Sequence, residues 1–417
     1  MAATRTLAIA VAAMLTAGSA FGQNNTTYFL DNYVYSYKLN PAAKPADAGF
    51  FGGIGFGGIN IGMSSNAGVS NFVFPVDGKL VTGLNEAVTA DEFLGGLKDP
   101  SSIGTSLGKN ILSLGFVNEK GFVTTFDISS RTMVDAQIPK SLFELLKKGS
   151  GGTDSYEFGD MALGGSSYIE AALGFSFHAG PVRAGIRVKG LAGLVDVRAD
   201  IAKASAIRDG EDINLNASGD IRMAPGLSDE GFSAKELLAP SGFGAAIDLG
   251  ASFSTKLLQF DLAILDLGGI RWKYDYMNSF SYSGVIGDDT EAEDILDDIL
   301  GPKGKHGGFS KLNATLSAGG RVFIIPKLSA GLHATLNRQA QDIRAGVTFT
   351  PGRVFSLAAT GGLTNFGPCF GAGFNLLLPG VSLYAAIDNI VTEFTPQFIP
   401  VNAVNTKLSA GLVIAIK

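Results

Sequence analysis

The residues with chemical potential in this chain are few and widely spaced. His178, His306 and His333 are the three imidazoles, and none stands in a metal-ligand spacing such as H-E-x-x-H. A hydrolase would need a Ser or Asp beside such a histidine and a third group to orient it; no G-x-S-x-G elbow presents a nucleophile. Gly53, Gly55 and Gly58 match G-x-G-x-x-G, which cradles a dinucleotide only between a strand and a helix, with an acid further on. Here the flanking residues continue as a Gly-rich strand, so the preferred reading is small residues on a crowded interior, or a place where another segment packs closely. The acidic run Asp288, Asp289, Glu291, Glu293, Asp294, Asp297 and Asp298 lacks the spacing and central Gly of an EF-hand; a solvated loop is preferred to a cation site. Cys369 stands alone, which excludes an internal disulfide framework and a cysteine-rich metal site. No catalytic residue, metal ligand or cofactor is assigned, and the chain is read as a non-enzyme.

The elements that carry the remaining polar residues are strands. Ile169, Ala171, Leu173, Phe175 and Phe177 alternate with Glu170, Ala172, Gly174, Ser176 and His178. Phe243, Ala245, Ile247, Leu249, Ala251 and Phe253 alternate with Gly244, Ala246, Asp248, Gly250 and Ser252. Leu328 to Leu336 repeats the pattern with His333 on the polar side, as do Phe370 to Leu376 and Leu408 to Ile416. Strict alternation means strands with one apolar and one polar or small face. These runs reach about ten residues, beyond the common strand length of about five or six in globular domains. Charges sit well inside them. In a membrane barrel such charges face the lumen while the apolar side meets lipid. The lumen-facing polar candidates are Glu170, His178, Arg183, Arg187, Asp248, Asp261, Arg321, His333 and Arg344. The fold class expected is all-β, a transmembrane antiparallel β-barrel.

The first residues read as an export signal. Arg5 precedes the short apolar run Leu7 to Leu15, and Ala20 and Gly22 suit cleavage before Gln23. That run is too short to cross a bilayer as a helix. No second long apolar segment follows, which excludes a helical membrane bundle. A net charge of −6 argues against nucleic acid as a partner. The organisation expected is a signal peptide over 1–22, an N-terminal segment over 23–49 that is a candidate plug, and a barrel with long outer loops over 50–417.

Turn signals set the strand number. Short connections fall at Glu119-Lys120, Ala179-Gly180, Lys256, Pro326, Gly352 and Pro379-Gly380. Six short turns on one side, with both termini on that side, give about fourteen strands. The strand-like stretches 211–223 and 275–285 then belong to outer loops; counting them as membrane strands would give sixteen. Ser141 to Lys148 and Asp289 to Leu300 read as short loop helices. Trp272, Tyr274 and Tyr276 cluster at one strand end, as an aromatic girdle at the membrane boundary or as ordinary loop aromatics.

The segment YFLDNYVYSYKLNPAAKP, with Asn40-Pro41-Ala42 ahead of a Gly-rich first strand, resembles the long-chain fatty-acid-transporter-like barrels. INIGMSSNAGVSNFVF, IPKSLFELL and FDLAILDLGGIRWK look like the DUF5723 family of Bacteroidetes outer-membrane barrels. The resemblance implies fourteen strands and an N-terminal plug within the lumen. Two departures stand out: the candidate plug is shorter than a full hatch, and the chain ends Ile416-Lys417 rather than on an aromatic residue.

The function expected is passage or uptake of small molecules, hydrophobic ones in view, across the outer membrane of a Gram-negative bacterium. The alternative is a scaffold or partner subunit of a secretion or surface-assembly complex. The partners expected are outer-membrane lipid, hydrophobic small-molecule cargo and, on the alternative, other proteins of an outer-membrane complex.

Overall fold

The computed structural model describes residues 24–45, 48–148, 155–209, 212–226, 239–286, 292–338, 340–352, 354–390 and 404–416. Fourteen strands form a closed antiparallel barrel: β1 (Phe50–Ser65), β2 (Ser101–Val117), β3 (Val123–Ile138), β4 (Met161–Ala179), β5 (Val182–Asp209), β6 (Gly242–Ser254), β7 (Leu258–Tyr274), β8 (Thr315–Ile325), β9 (Leu328–Leu336), β10 (Gln341–Phe349), β11 (Phe355–Thr364), β12 (Gly367–Leu378), β13 (Gly380–Asp388) and β14 (Val404–Ile416). Each pairs with the next. β14 closes on β1 in the register Phe50↔Ile416 to Ser65↔Val404. Closure removes the unpaired edge that a bilayer cannot hydrate.

The alternation works inside out. Leu332, Ile343 and Phe370, at 62 %, 62 % and 67 % exposed, point outward, whereas His333, Arg344 and Cys369 beside them are buried. A soluble protein does not expose apolar side chains in such numbers around its whole girth. The polar-in, apolar-out pattern is that of a membrane barrel.

All six short connections lie at one end, joining β2 to β3, β4 to β5, β6 to β7, β8 to β9, β10 to β11 and β12 to β13. Gly121, Gly180 and Gly380 take positive φ there. The start of β1 and the end of β14 share that end. The wall is asymmetric. Strands β9 to β13 have 9 to 12 residues, about one membrane crossing. Strands β4 and β5 have 19 and 28 and stand well beyond it on the long-loop side. There Asp212–Ala224 pairs with β5, and Tyr276–Ile286 pairs with Asp212–Ala224. These are the two stretches that a sixteen-strand count would have placed in the membrane; they are extensions at the long-loop end. Helices Lys140–Lys148 and Ala292–Leu300 lie at the same end. The signal peptide and Asp288, Asp289 and Glu291 lie outside the described residues.

Strand β7 corrects one expectation. Its pairing with β6 jumps from Ile247↔Leu267 to Leu249↔Ile264, so β7 holds one extra residue. Asp266 takes φ 59° at this β-bulge. A bulge shifts the alternation by one. Asp261, Ala263 and Leu265 face inward before it, and Ile270, Trp272 and Tyr274 face inward after it. Trp272 and Tyr274 are therefore buried at 1 % and 2 % exposed, packed with Tyr168 and Leu191, and do not form a lipid-facing girdle.

Candidate functional site: the filled lumen

From Asn24, beside Lys407 and Asp388, the N-terminal segment runs within the barrel and joins β1 at the short-turn end. A 3-10 turn, Asn25–Phe29, opens with Asn24, whose side chain accepts the Thr26 N–H. A short helix, Ser36–Leu39, follows. Phe29, Val34, Tyr35 and Tyr37 are buried against Phe51, Tyr384 and Val413 of the wall. An aromatic-rich, charge-poor segment would expose these rings in water; inside the barrel they form its principal apolar core.

The wall is shaped for this segment. The Asn40 side chain accepts the Ala42 N–H at 2.9 Å and donates to the Ala251 carbonyl at 3.0 Å. A Cβ on Gly250 would lie 2.0 Å from Asn40 Oδ1, and one on Gly185 would lie 2.2 Å from the Pro41 carbonyl oxygen. The Asn-Pro-Ala motif is thus a turn pressed directly onto strand backbone, which only glycine permits. In β1, Gly57 and Gly58 meet the Tyr35 and Tyr384 hydroxyls at 2.6 and 2.7 Å from the Cβ position. The G-x-G-x-x-G match is mid-strand and serves packing.

Two sets of charges hold the segment from opposite sides. On strands β3 to β7, Arg131, Arg187 and Lys189, with Lys38 of the segment, meet four carboxylates. Lys38 lies 3.0 Å from Asp127, and Arg187 lies 3.1 Å from Asp127 and 2.9 Å from Asp248. Lys189 reaches Asp248 at 2.7 Å and Asp266 at 2.5 Å. Arg131 reaches Glu170 at 3.1 Å and Asp266 at 3.0 Å. Four cations thus balance four carboxylates. Buried charge without such pairing would cost several kcal/mol per ion. Tyr37 donates to Asp127 at 2.7 Å. Burial, then the Asp127 charge, raises the Tyr37 phenol well above its ordinary value, so it stays a neutral donor. Burial pushes the Lys38 ammonium down, against the pull of Asp127.

On strands β7 to β13 the contacts run mainly to the first turn. Asp388 accepts the N–H groups of Asn25 and Thr26 at 2.6 and 2.9 Å, so a wall carboxylate satisfies the free donors of the turn. Arg344 donates to Asp388 at 2.7 Å and pairs with Asp342. Arg321 meets Asp31 at 2.8 Å. Tyr28 donates to Asp261 at 2.8 Å and stacks on His333 at 4.3 Å between centroids.

The nine residues read from the sequence therefore fall in three places. Glu170, Arg187 and Asp248 belong to the eight-charge network. Asp261, Arg321, His333 and Arg344 hold or flank the first turn of the segment. His178 and Arg183 sit at the short-turn rim, donating to the Lys120 and Gly121 carbonyls at 2.9 Å each. Sequence reasoning missed Asp127, Arg131 and Lys189, although the alternation of β3 and β5 carries them on the same face as Ser129 and Arg187. It missed Asp266 because the bulge hides its phase. It missed Asp342 and Asp388, which lie at the strand ends.

The segment divides the lumen. A cavity of about 1,330 Å³, counted with its open mouth, lies on the long-loop side and is lined by Asn110, Ser129, Ser317, Thr335 and Ser409 with Tyr33, Tyr35 and Tyr384. A second, of about 1,030 Å³, lies on the short-turn side and includes His178, Arg183 and Asp261. Tyr33 and Leu39 line both. A third, of about 1,830 Å³, opens among the tall strands beside Trp272, Asp196 and Arg222.

Among solved structures, the chain is similar to the TodX monoaromatic hydrocarbon channel deltaS2 mutant, at 9 % identity and TM-score 0.50 over 94 % of this chain and 97 % of that one. It is similar to the Pseudomonas putida toluene transporter TodX, at 9 % identity and TM-score 0.49 over 95 % and 98 %. A Pseudomonas aeruginosa FadL homologue matches at 13 % identity and TM-score 0.45 over 96 % and 100 %. A search of curated proteins gives no match. The structural likeness concerns the barrel fold. With residues 41–388 matching its model, the chain belongs to the family of unknown function DUF5723.

Proposed function

We propose that this protein is an outer-membrane passage for small molecules, closed at rest by its own N-terminal segment. The observation that carries the reading is the segment itself, seated between two lumenal cavities and held by ion pairs and hydrogen bonds on opposite walls. A purely structural barrel has no need to place a detachable polar lock across its lumen. One neighbour in fold is a monoaromatic hydrocarbon channel; carried over here, that favours an uncharged cargo built on a ring. The export signal read over 1–22 is part of this proposal, as is the placement of the short turns on the periplasmic side.

The test is permeability of proteoliposomes holding the wild-type barrel or a variant without residues 24–45. The variant is expected to admit small uncharged solutes at least tenfold faster. Equal rates from two barrels that both show heat-shifted gel mobility would overturn the reading.

A second reading, a partner subunit of a surface complex, has one observation in its favour: strand β5 and its paired extensions rise on one side of the barrel. Crosslinking in intact cells followed by pull-down tests it. A protein captured through Asp212–Ala224 would support it, and a barrel recovered alone would count against it.

A further inference from the structure

We infer that the long-loop cavity binds a neutral, polyhydroxylated ring compound, a mono- or disaccharide or a glycoside. This deepens the proposed passage and rests on it.

The argument starts from what lines the cavity. Among its described lining residues are fifteen Asn, Gln, Ser and Thr against five Leu, Ile and Ala. A site built for a hydrocarbon would be lined mainly by apolar side chains. Some of these amides and hydroxyls pair with one another, as Asn25 does with Thr335 and Ser317 with His333; the rest would be left without partners by a hydrocarbon. The lining therefore offers amide and hydroxyl partners that a polyhydroxylated ligand uses and a hydrocarbon does not.

Charge points the same way. The ionised groups that reach the cavity are already engaged: Lys38 with Asp127, Arg131 with Glu170 and Asp266, and Asp342 with Arg344. Of the other lysines on the lining, Lys407 is half-buried and Lys109 is exposed. Among the described lining residues, the buried charges Glu170 and Asp342 are paired with arginines.

The third feature is a cluster of rings. Tyr33, Tyr35 and Tyr384 line the cavity together, with centroids 4.8 to 6.2 Å apart. A sugar ring has an apolar C–H face and a rim of hydroxyls, so aromatic rings beside many neutral donors and acceptors match it. Among the described residues of this lining, Glu170 Oε2 is held in its ion pair with Arg131, and His333 Nδ1 is a buried polar atom with no hydrogen-bond partner. His333 Nε2 is engaged with Ser317 at 3.0 Å, which leaves Nδ1 for a ligand hydroxyl.

The test is isothermal titration of the folded barrel, in an amine-oxide detergent free of sugar headgroups, with maltose, cellobiose, lactose, toluene and decanoate. At least one disaccharide is expected to bind, with toluene and decanoate failing to displace it. His333→Phe keeps a ring for stacking on Tyr28 and removes both nitrogens; it is expected to weaken that binding about tenfold. Ser129→Leu, which adds apolar bulk to the lining, is expected to do the same without loss of heat-shifted mobility. Binding of toluene or decanoate with no saccharide binding would overturn the inference, as would saccharide heats unchanged in both variants. Absence of any heat would overturn it too. Proteoliposome swelling separates this from the passage itself. Swelling in solutes other than saccharides leaves the passage standing and the inference refuted. Saccharide binding without swelling does the reverse.

Discussion

Asp127 is the residue on which most depends. It accepts from Tyr37 and pairs with both Lys38 of the N-terminal segment and Arg187 of the wall. Removing one partner of a buried pair leaves an uncompensated charge, at about 3–5 kcal/mol. Asp127→Ala is expected to free the segment: trypsin should cut after Lys38 in the intact, detergent-solubilised barrel, where the wild type resists. Asp388→Ala removes the acceptor for two backbone N–H groups and is expected to act alike, at about 1–3 kcal/mol for the stranded donors, while Arg344 keeps Asp342 as a partner. These charges were partly legible. Glu170, Arg187, Asp248 and Arg344 follow from alternation alone, because a charge on the small-residue face of a long strand has only the lumen to face. Asp127 obeys the same rule, with Phe126 outside it. Nothing local, however, announces that its partner lies 89 positions upstream, at Lys38.

At the scale of elements, the bulge in β7 shows what a period-two pattern cannot register. One inserted residue leaves the apolar run FDLAILDLGGI outwardly regular while it reverses the face of everything after Asp266. The girdle, one of the two readings of this aromatic cluster, is excluded for Trp272 and Tyr274 for that reason. The correction is checkable, since Trp272 is the single tryptophan. Its fluorescence should be insensitive to brominated lipids in reconstituted protein; strong quenching would place it on the lipid face and contradict the bulge. The Asn40-Pro41-Ala42 turn is the second element whose logic only the fold reveals. Its neighbours across the chain are Gly185 and Gly250, far away in sequence. Gly250→Val should push the turn off the wall and leave the barrel closed, measured as trypsin cleavage after Lys38 with retained heat-shifted mobility. A variant as resistant as the wild type would show that the turn tolerates a side chain there.

For the whole molecule, the count of fourteen strands was legible because six short turns punctuate long strands, and turn chemistry is local. The height of the wall was not. Strands continue beyond the membrane with the same alternation, β5 as far as Asp209, so the sequence shows no boundary where lipid ends. The filling of the lumen was legible only as an expectation from length and family resemblance, because a segment that docks by a few scattered pairs carries no periodic signature. The central claim is that this segment must move for solute to pass. Thr26 and Thr360 place their hydroxyl oxygens 3.0 Å apart across the interface between segment and wall, close enough for a disulfide to replace them. In a Cys369→Ser background, Thr26→Cys with Thr360→Cys ties the segment down when oxidised. The direct measurement is solute entry into proteoliposomes holding this variant, before and after reduction. The account predicts entry abolished in the oxidised protein and restored on reduction; equal entry in both states would contradict it.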